Sequence, residues 1–216
     1  VIYDALAPSS ESEPALREAV EREVGAIDFL VDAVAGVDNK MIDIEGLPDQ
    51  LIDTSAENVL GMIRATGLSV LSTARALRAL LADNDARSDR VASILAISYL
   101  AGEKVDLGYP GGLSLGKSVL EATIRRLAVE LGPEGIRVNA LSAGPVLTTR
   151  GTVMGITVEG IEEYERSAPL RHAPTASEIG RVAVSLLSPA MMWVSGEVVH
   201  VDGGKNLLAP VDRSLH

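Results

Sequence analysis

Short apolar runs that suit buried strands alternate along this chain with longer segments that have the apolar periodicity of helices. The strand candidates are Val1–Ala5, Ile27–Val34, Val91–Ser98, Ile136–Ser142 and Val198–Val201. The helical patterns between them lie at Glu11–Val24, Thr54–Ala82, Leu113–Leu131 and Ser177–Leu187. This order predicts an α/β fold, a doubly wound parallel sheet with helices on both faces.

Turn-forming and capping residues set the limits of these elements. Thr54 and Glu57 have the spacing of a capping box at the start of the longest helix. Glycine and proline predict a loop at 35–50, and a polar cluster predicts a turn at Asn84–Asp89. We predict a single domain over residues 1–216, with a loop and short helices at 149–175.

Composition and charge narrow the class of protein. Hydrophobic residues make up 47% of the chain but aromatic residues only 3%, so the core must consist mainly of Ala, Val, Leu and Ile. The absence of cysteine excludes disulfides and thiolate metal sites. A net charge of −11 disfavours nucleic-acid binding. No apolar run reaches the roughly 20 residues that cross a bilayer. We therefore predict a cytoplasmic protein with neither a nucleic-acid nor a membrane partner.

The chain contains three stretches with a specific order and spacing. They are Ser98-Tyr99 with Tyr109 to Lys117, then Gly135 to Pro145, then Gly196 to Gly204. Together these stretches resemble the enoyl-acyl-carrier-protein reductases of the short-chain dehydrogenase/reductase superfamily, over roughly residues 1–206. The resemblance implies a Rossmann-like sheet. It also places the family's glycine-rich first turn before Val1, so the N-terminal β-α units are expected to be missing from this sequence.

The spacing of tyrosine and lysine is the most specific part of the resemblance. Most short-chain dehydrogenases have a tyrosine four residues before the lysine, but here that position is Leu113. The nearest upstream tyrosine is Tyr109, eight residues before Lys117, and a continuous helix would separate the two by roughly 12 Å. A bend is therefore predicted at Pro110-Gly111-Gly112. This displaced tyrosine, and the additional Tyr99, resemble the plastid type of enoyl reductase.

By this resemblance, the protein reduces a 2-enoyl thioester of acyl-carrier protein or coenzyme A with NADH or NADPH. The implied catalytic residues are Tyr109 as the donor to the thioester oxygen, Lys117 at the nicotinamide ribose, and Tyr99 lining the pocket. The implied cofactor-binding residues are Asp4, Ala33, Val34, Ser98, Lys117, Gly144, Pro145, Val146 and Thr148. The implied substrate pocket consists of Tyr99, Tyr109, Leu113, Val153, Met154 and Ile156. No two histidines have metal-ligand spacing, so no metal is predicted.

One position departs from the pattern that the resemblance implies. Asp32-Ala33 stands where enoyl reductases commonly have His-Ser. The resemblance also suggests a homotetramer that packs through the helices at 54–82 and 113–131.

Three other functions compete with the enoyl reductase. One is a different short-chain dehydrogenase such as a ketoreductase, against which Leu113 argues. Another is a non-catalytic paralogue that keeps the fold. The third is a P-loop nucleotide hydrolase, because residues 111–118 match the pattern GxxxxGK[ST] although no buried strand ends just before them.

Overall fold

A computed structural model describes residues 12–34, 51–82, 92–148, 151–152 and 156–208. The strands β1 (Phe29–Asp32), β2 (Ala92–Ser98), β3 (Ile136–Ala143) and β4 (Val198–Val201) form one parallel sheet in the order β1-β2-β3-β4. The helices are α1 (Ser12–Glu23), α2 (Ala56–Gly67), α3 (Ser69–Ala82), α4 (Gly111–Leu131), α5 (Val158–Ser167) and α6 (Ala176–Leu187). The predictions for Val1–Ala5, 35–50 and Asn84–Asp89 lie outside the described residues, and the single domain stays a prediction.

Helices cover both faces of the sheet, which confirms the predicted doubly wound architecture. Successive side chains of a strand point to opposite faces. On one face Ile94 of β2 and Val138 of β3, both fully buried, pack against α3 and α4. On the other face Leu95 and Leu141 pack against Leu186 of α6. The carboxyl ends of β2 and β3 therefore lie between the two helical layers.

The prediction of one helix over Thr54–Ala82 is wrong, because the segment forms two helices that meet at Leu68. Leu68 leaves the helical path, although its N–H still donates to the Arg64 carbonyl. The break separates α2, which packs against α4, from α3, which packs against the sheet. The predicted capping box at Thr54 is also wrong, since Ser55 is the N-cap and accepts from the Asn58 N–H.

Two further helix starts differ from the predictions. Helix α4 begins at Gly111, so of the predicted bend only Pro110 lies outside the helix, as its N-cap. Helix α6 is capped by Thr175, which forms a capping box with Glu178, and the predicted cap at Ser177 is wrong. A capping box needs its hydroxyl residue three positions before the glutamate, and Thr175 and Glu178 have that spacing.

The glycines of α4 allow α2 to approach it closely. A Cβ on Gly112 would lie 2.5 Å from the Met62 sulfur, and a Cβ on Gly116 would lie 2.8 Å from the Thr66 Cβ. These glycines therefore replace side chains at a helix crossing, where any added atom meets the opposite helix. Because Gly116 directly precedes Lys117, the packing at this crossing also fixes the distance between the Lys117 backbone and the sheet.

Gly116→Ala is expected to destabilise the protein by about 1 to 3 kcal/mol, because the methyl group overpacks the α2–α4 crossing. The matched control is Gly180→Ala in α6, where an added Cβ meets no atom within 4 Å. That variant is expected to stabilise the protein by about 0.5 to 1 kcal/mol through helix propensity alone. Urea unfolding followed by circular dichroism measures both. Shifts of the two midpoints in the same direction would contradict the close crossing.

Candidate active site

Lys117 is buried two turns into α4, on the face that packs against the end of β2. Its side chain is nearly inaccessible, with the whole residue 2% exposed, and its Nζ donates to the Ile97 carbonyl oxygen at 2.7 Å. Desolvation lowers the pKa of Lys117 to about 8, while the charges of Asp32 and Glu121 act in the opposite direction. A lysine in this state is an ammonium at neutral pH that loses its proton in the mildly alkaline range.

Tyr99 and Tyr109 lie against each other just beyond the end of β2. Their ring centroids are 4.8 Å apart and the rings are tilted by 42°. Tyr109 directly precedes Pro110, the N-cap of α4, so the chain enters the helix only after the tyrosine. Of the predicted bend, Pro110 is confirmed as a break between Tyr109 and the helix, whereas Gly111 and Gly112 already belong to α4.

The hydroxyl of Tyr99 donates a 2.6 Å hydrogen bond to Oδ2 of Asp106. Burial, followed by this hydrogen bond and the charge of Asp106, raises the pKa of Tyr99. The second carboxylate oxygen of Asp106 accepts from the Gly108 N–H at 3.0 Å, which fixes the loop before Tyr109. The Tyr99 hydroxyl therefore already has a hydrogen-bond acceptor within the protein.

These contacts bring Tyr99 and Tyr109 together and tie Lys117 to the same strand end, while the catalytic roles of the three residues stay predictions. Lys117 binds the main chain of Ile97, two residues before Tyr99, and the Tyr99 ring contacts the Tyr109 ring. The carboxyl end of a middle strand therefore has a pair of phenols and, two residues earlier, a main-chain contact with a buried ammonium. Such a combination can donate hydrogen bonds to an oxygen on which negative charge develops.

Asp32 ends β1 and is buried, with 5% of the residue exposed. Its Oδ1 accepts from the Val34 N–H at 3.0 Å and from the Ser69 hydroxyl at 3.3 Å. Its Oδ2 is buried without a hydrogen-bond partner among the described residues. Burial raises the pKa of Asp32, and the nearby Lys117 opposes that rise. The departure at Asp32 therefore places a carboxylate in the same charge environment as Lys117.

The other predicted cofactor residues follow the ends of β1, β2 and β3. Ala33 and Val34 are exposed after β1, whereas Ser98 is buried and its hydroxyl donates to Glu121. Gly144 leaves β3 next to the Tyr164 hydroxyl, which would lie 2.9 Å from an added Cβ. The remaining members of this group follow Gly144 in a segment without regular secondary structure: Pro145, Val146 and Thr148. Asp4 lies outside the described residues, and the cofactor roles stay predictions.

The predicted substrate residues are only partly described. Leu113 is 2% exposed, so the chain itself covers almost all of its surface. Ile156 is half-buried and its N–H donates to the Gly151 carbonyl at 2.8 Å. Val153 and Met154 lie outside the described residues. A groove of about 710 Å³ lies beside Tyr109, and its apolar lining includes Ile52, Leu107 and Leu115.

The P-loop alternative does not fit the structure. Residues 111–118 are helical throughout, and Lys117 is buried against β2 rather than presented by a loop. No group of three His, Asp or Glu side chains in the described part of the chain is arranged to hold a metal ion. Among the same residues, no helix has the length and apolar character that crossing a bilayer requires.

Glu121 is a site residue that sequence reasoning missed. It lies one helical turn after Lys117, is 3% exposed, and accepts the Ser98 hydroxyl hydrogen bond at 2.6 Å. The spacing of four residues from Lys117 was the available signal, because residues at i and i+4 share one helix face. Glutamate in a helix is usually solvated, which hides this signal in a single sequence.

A helix-covered parallel sheet with a tyrosine and a buried lysine at its carboxyl edge defines a short-chain dehydrogenase/reductase. Residues 8–206 match the family model described as enoyl-(acyl carrier protein) reductase. The chain belongs to this enoyl-acyl-carrier-protein reductase family.

Individual relatives agree with the family match. The chain is 33% identical to the NADH-dependent enoyl-acyl-carrier-protein reductase FabI of Bacillus cereus, covering 93% of this chain and 73% of the relative. It is 39% identical to NADH-dependent enoyl-acyl-carrier-protein reductase 1 of Rhizobium meliloti, covering 88% and 65%. The solved Bacillus cereus reductase with NADP+ and indole naphthyridinone has a TM-score of 0.81 and 32% identity, over 96% of this chain and 75% of that one. The chain thus spans about two thirds to three quarters of these proteins.

Proposed function

We propose that the protein reduces the 2,3 double bond of an enoyl thioester with NADH or NADPH, as an enoyl-acyl-carrier-protein reductase. The observation that carries the proposal is the contact between Tyr99 and Tyr109 at the strand end to which the buried Lys117 is bound through Ile97, with Leu113 in place of a tyrosine four residues before the lysine. The names of the Bacillus cereus and Rhizobium meliloti relatives favour NADH.

The residues present fit a nicotinamide cofactor. An ammonium has three donor hydrogens, and the hydrogen bond of Lys117 to Ile97 uses one of them. The others are available for the hydroxyl groups of a ribose. The unpartnered Oδ2 of Asp32 adds an acceptor at the same sheet edge. When bound, the reduced cofactor supplies the hydride that the β-carbon of the enoyl thioester takes up.

The protein side chains act on the thioester oxygen, where negative charge grows during the reaction. Tyr109 donates a hydrogen bond to that oxygen, and the Lys117 charge favours the developing enolate. Tyr99 orients the thioester through its ring, because Asp106 holds its hydroxyl proton. The α-carbon takes its final proton from Tyr109 or from water.

The proposed function also includes an oligomeric state, a cellular location and a substrate class. We infer a homotetramer that packs through α2, α3 and α4, and a cytoplasmic location. The substrate is the thioester of acyl-carrier protein or of coenzyme A, and the family description favours the carrier protein.

The full-length protein is expected to oxidise NADH in the presence of crotonoyl-coenzyme A and not in the presence of acetoacetyl-coenzyme A. The physical reason is that Tyr109 is displaced from the position that serves a ketone oxygen in ketoreductases. Absorbance at 340 nm measures both rates, with NADPH tested in parallel. Faster turnover of the ketone would favour a ketoreductase. Binding of neither dinucleotide, measured by fluorescence, would favour a non-catalytic paralogue.

A further inference from the structure

Helix α4 holds the end of β2 at two consecutive residues. The Lys117 ammonium binds the carbonyl oxygen of Ile97 at 2.7 Å, and the Glu121 carboxylate accepts from the hydroxyl of Ser98 at 2.6 Å. Both α4 side chains are almost completely buried and lie one helical turn apart. Tyr99 follows Ser98 directly, so any shift of this strand end moves the tyrosine as well.

The turn at Leu100–Gly102 packs directly onto the Glu121 carboxylate. A Cβ on Gly102 would lie 2.6 Å from Oε1 of Glu121 and 3.1 Å from the Lys117 Cβ. The hydroxyl of Ser118 donates to the Gly102 carbonyl at 2.8 Å and ties the turn to α4. Glu121 is therefore enclosed by main chain and cannot relax toward solvent without moving this turn.

Several charged groups face Glu121 from the elements packed around it. Burial raises the pKa of Glu121, and the hydrogen bond from Ser98 opposes the rise. The charge of Glu103 adds to the rise, whereas Arg125 of α4 and His200 of β4 counteract it. His200 Nε2 also contacts Glu103 Oε1 at 3.2 Å, and His200 shares a sheet register row with Ser142 and Ser98.

Two carboxylates, from different elements, act on the Lys117 ammonium. Asp32 approaches from β1 and Glu121 from α4, and each favours the protonated lysine against the larger effect of desolvation. Asp32 is fixed by Ser69 and by its own turn, whereas Glu121 is fixed by Ser98. Glu121 is thus the only one of the two that links the charge of Lys117 to the position of β2.

We propose that Glu121 is a positioning residue of the reductase site, which holds the end of β2 through Ser98 and supports the positive charge of Lys117. The proposal deepens the proposed function and rests on it only for the catalytic importance of Lys117. Glu121 itself contacts neither substrate nor cofactor in this arrangement.

Glu121→Gln tests the charge separately from the hydrogen bond, because the glutamine oxygen still accepts from Ser98. The printed sequence contains four lysines (Lys40, Lys104, Lys117 and Lys205), so ¹³Cε-labelled lysine gives few NMR signals. The variant Lys117→Arg identifies the signal of Lys117, because that signal is absent from its spectrum. The wild-type signal is expected to titrate near pH 8, and E121Q is expected to lower that midpoint by roughly 0.5 to 1 pH unit. The matched control is Glu130→Gln, which removes an exposed carboxylate of the same helix and leaves the midpoint unchanged.

The alkaline limb of kcat/KM for the enoyl thioester is expected to move by the same amount in E121Q. An unchanged Lys117 midpoint in folded E121Q overturns the proposal. If E121Q lowers the Lys117 midpoint but the wild-type protein has no reductase activity, the role of Glu121 is upheld and the proposed function is overturned instead.

If E121Q does not fold, the variant Asp32→Asn decides the question, because among the described residues Glu121 is then the carboxylate that still acts on Lys117. Its Lys117 signal is expected to move a second time at acid pH, when Glu121 takes up its proton. The absence of that second step overturns the proposal.

Discussion

Replacing Lys117 with methionine is expected to lower kcat/KM for an enoyl thioester by about 10³-fold and to weaken NADH binding by about 10- to 100-fold. Methionine fills nearly the volume of the lysine stem but has neither the charge nor the donor hydrogens. The ammonium is buried, so its charge is weakly screened, and its loss removes a strong interaction. Initial rates at 340 nm and NADH fluorescence titration measure the two effects.

Lys104→Met is the matched control for this loss. It removes an exposed lysine at the wall of the groove, whose side chain is solvated, and is expected to keep the activity within about twofold of wild type. Near-wild-type kcat/KM in folded Lys117→Met, with an unchanged affinity for NADH, would contradict the role of Lys117. The circular dichroism spectrum establishes that each variant is folded.

The middle of the sheet was predictable because β2 and β3 are buried on both faces and are rich in β-branched and aliphatic residues. A continuous apolar run such as Val91–Ser98 is typical of a parallel strand that is covered by helices on both faces. The bend before α4 was also predictable, because tyrosine and lysine eight residues apart cannot share a substrate on one straight helix. Both conclusions follow from properties local to a few residues.

Helix limits were less predictable, because they depend on what each helix packs against. The apolar periodicity of 54–82 continues through Leu68, although α2 packs on α4 and α3 packs on the sheet. Likewise, glycines at 111 and 112 have the composition of a turn, but Gly112 is helical and makes room for Met62. Only the position of the opposite helix distinguishes these two uses of glycine.

The charges around Lys117 could not be located from the sequence. Asp32 and Glu121 are far apart along the chain. Asp32 stands out only as a departure from the family pattern, and Glu121 has the appearance of an ordinary surface carboxylate on a helix. Their burial follows from the pairing of β1 with β2 and the packing of α4 on β2. Long-range contacts of this kind determine which ionisable groups lose water, and hence which pKa values shift.

Tyr109→Phe is expected to lower kcat for the enoyl thioester by about 10²-fold while leaving NADH affinity unchanged. Phenylalanine keeps the ring contact with Tyr99 at the same place, so the variant removes the hydroxyl and little else. The loss falls on kcat because a donor to the thioester oxygen acts mainly in the transition state, where the charge has developed. Steady-state rates over a range of thioester concentrations separate kcat from KM.

Tyr99→Phe is the control that distinguishes the two phenols. Asp106 already accepts the Tyr99 proton, so this hydroxyl has little to offer the thioester oxygen, and its removal is expected to cost less than about tenfold in kcat. A larger loss in Tyr99→Phe than in Tyr109→Phe would reverse the assignment and make Tyr99 the donor. In that case the hydrogen bond to Asp106 would have to open when substrate binds, and Asp106→Asn would then change kcat as well.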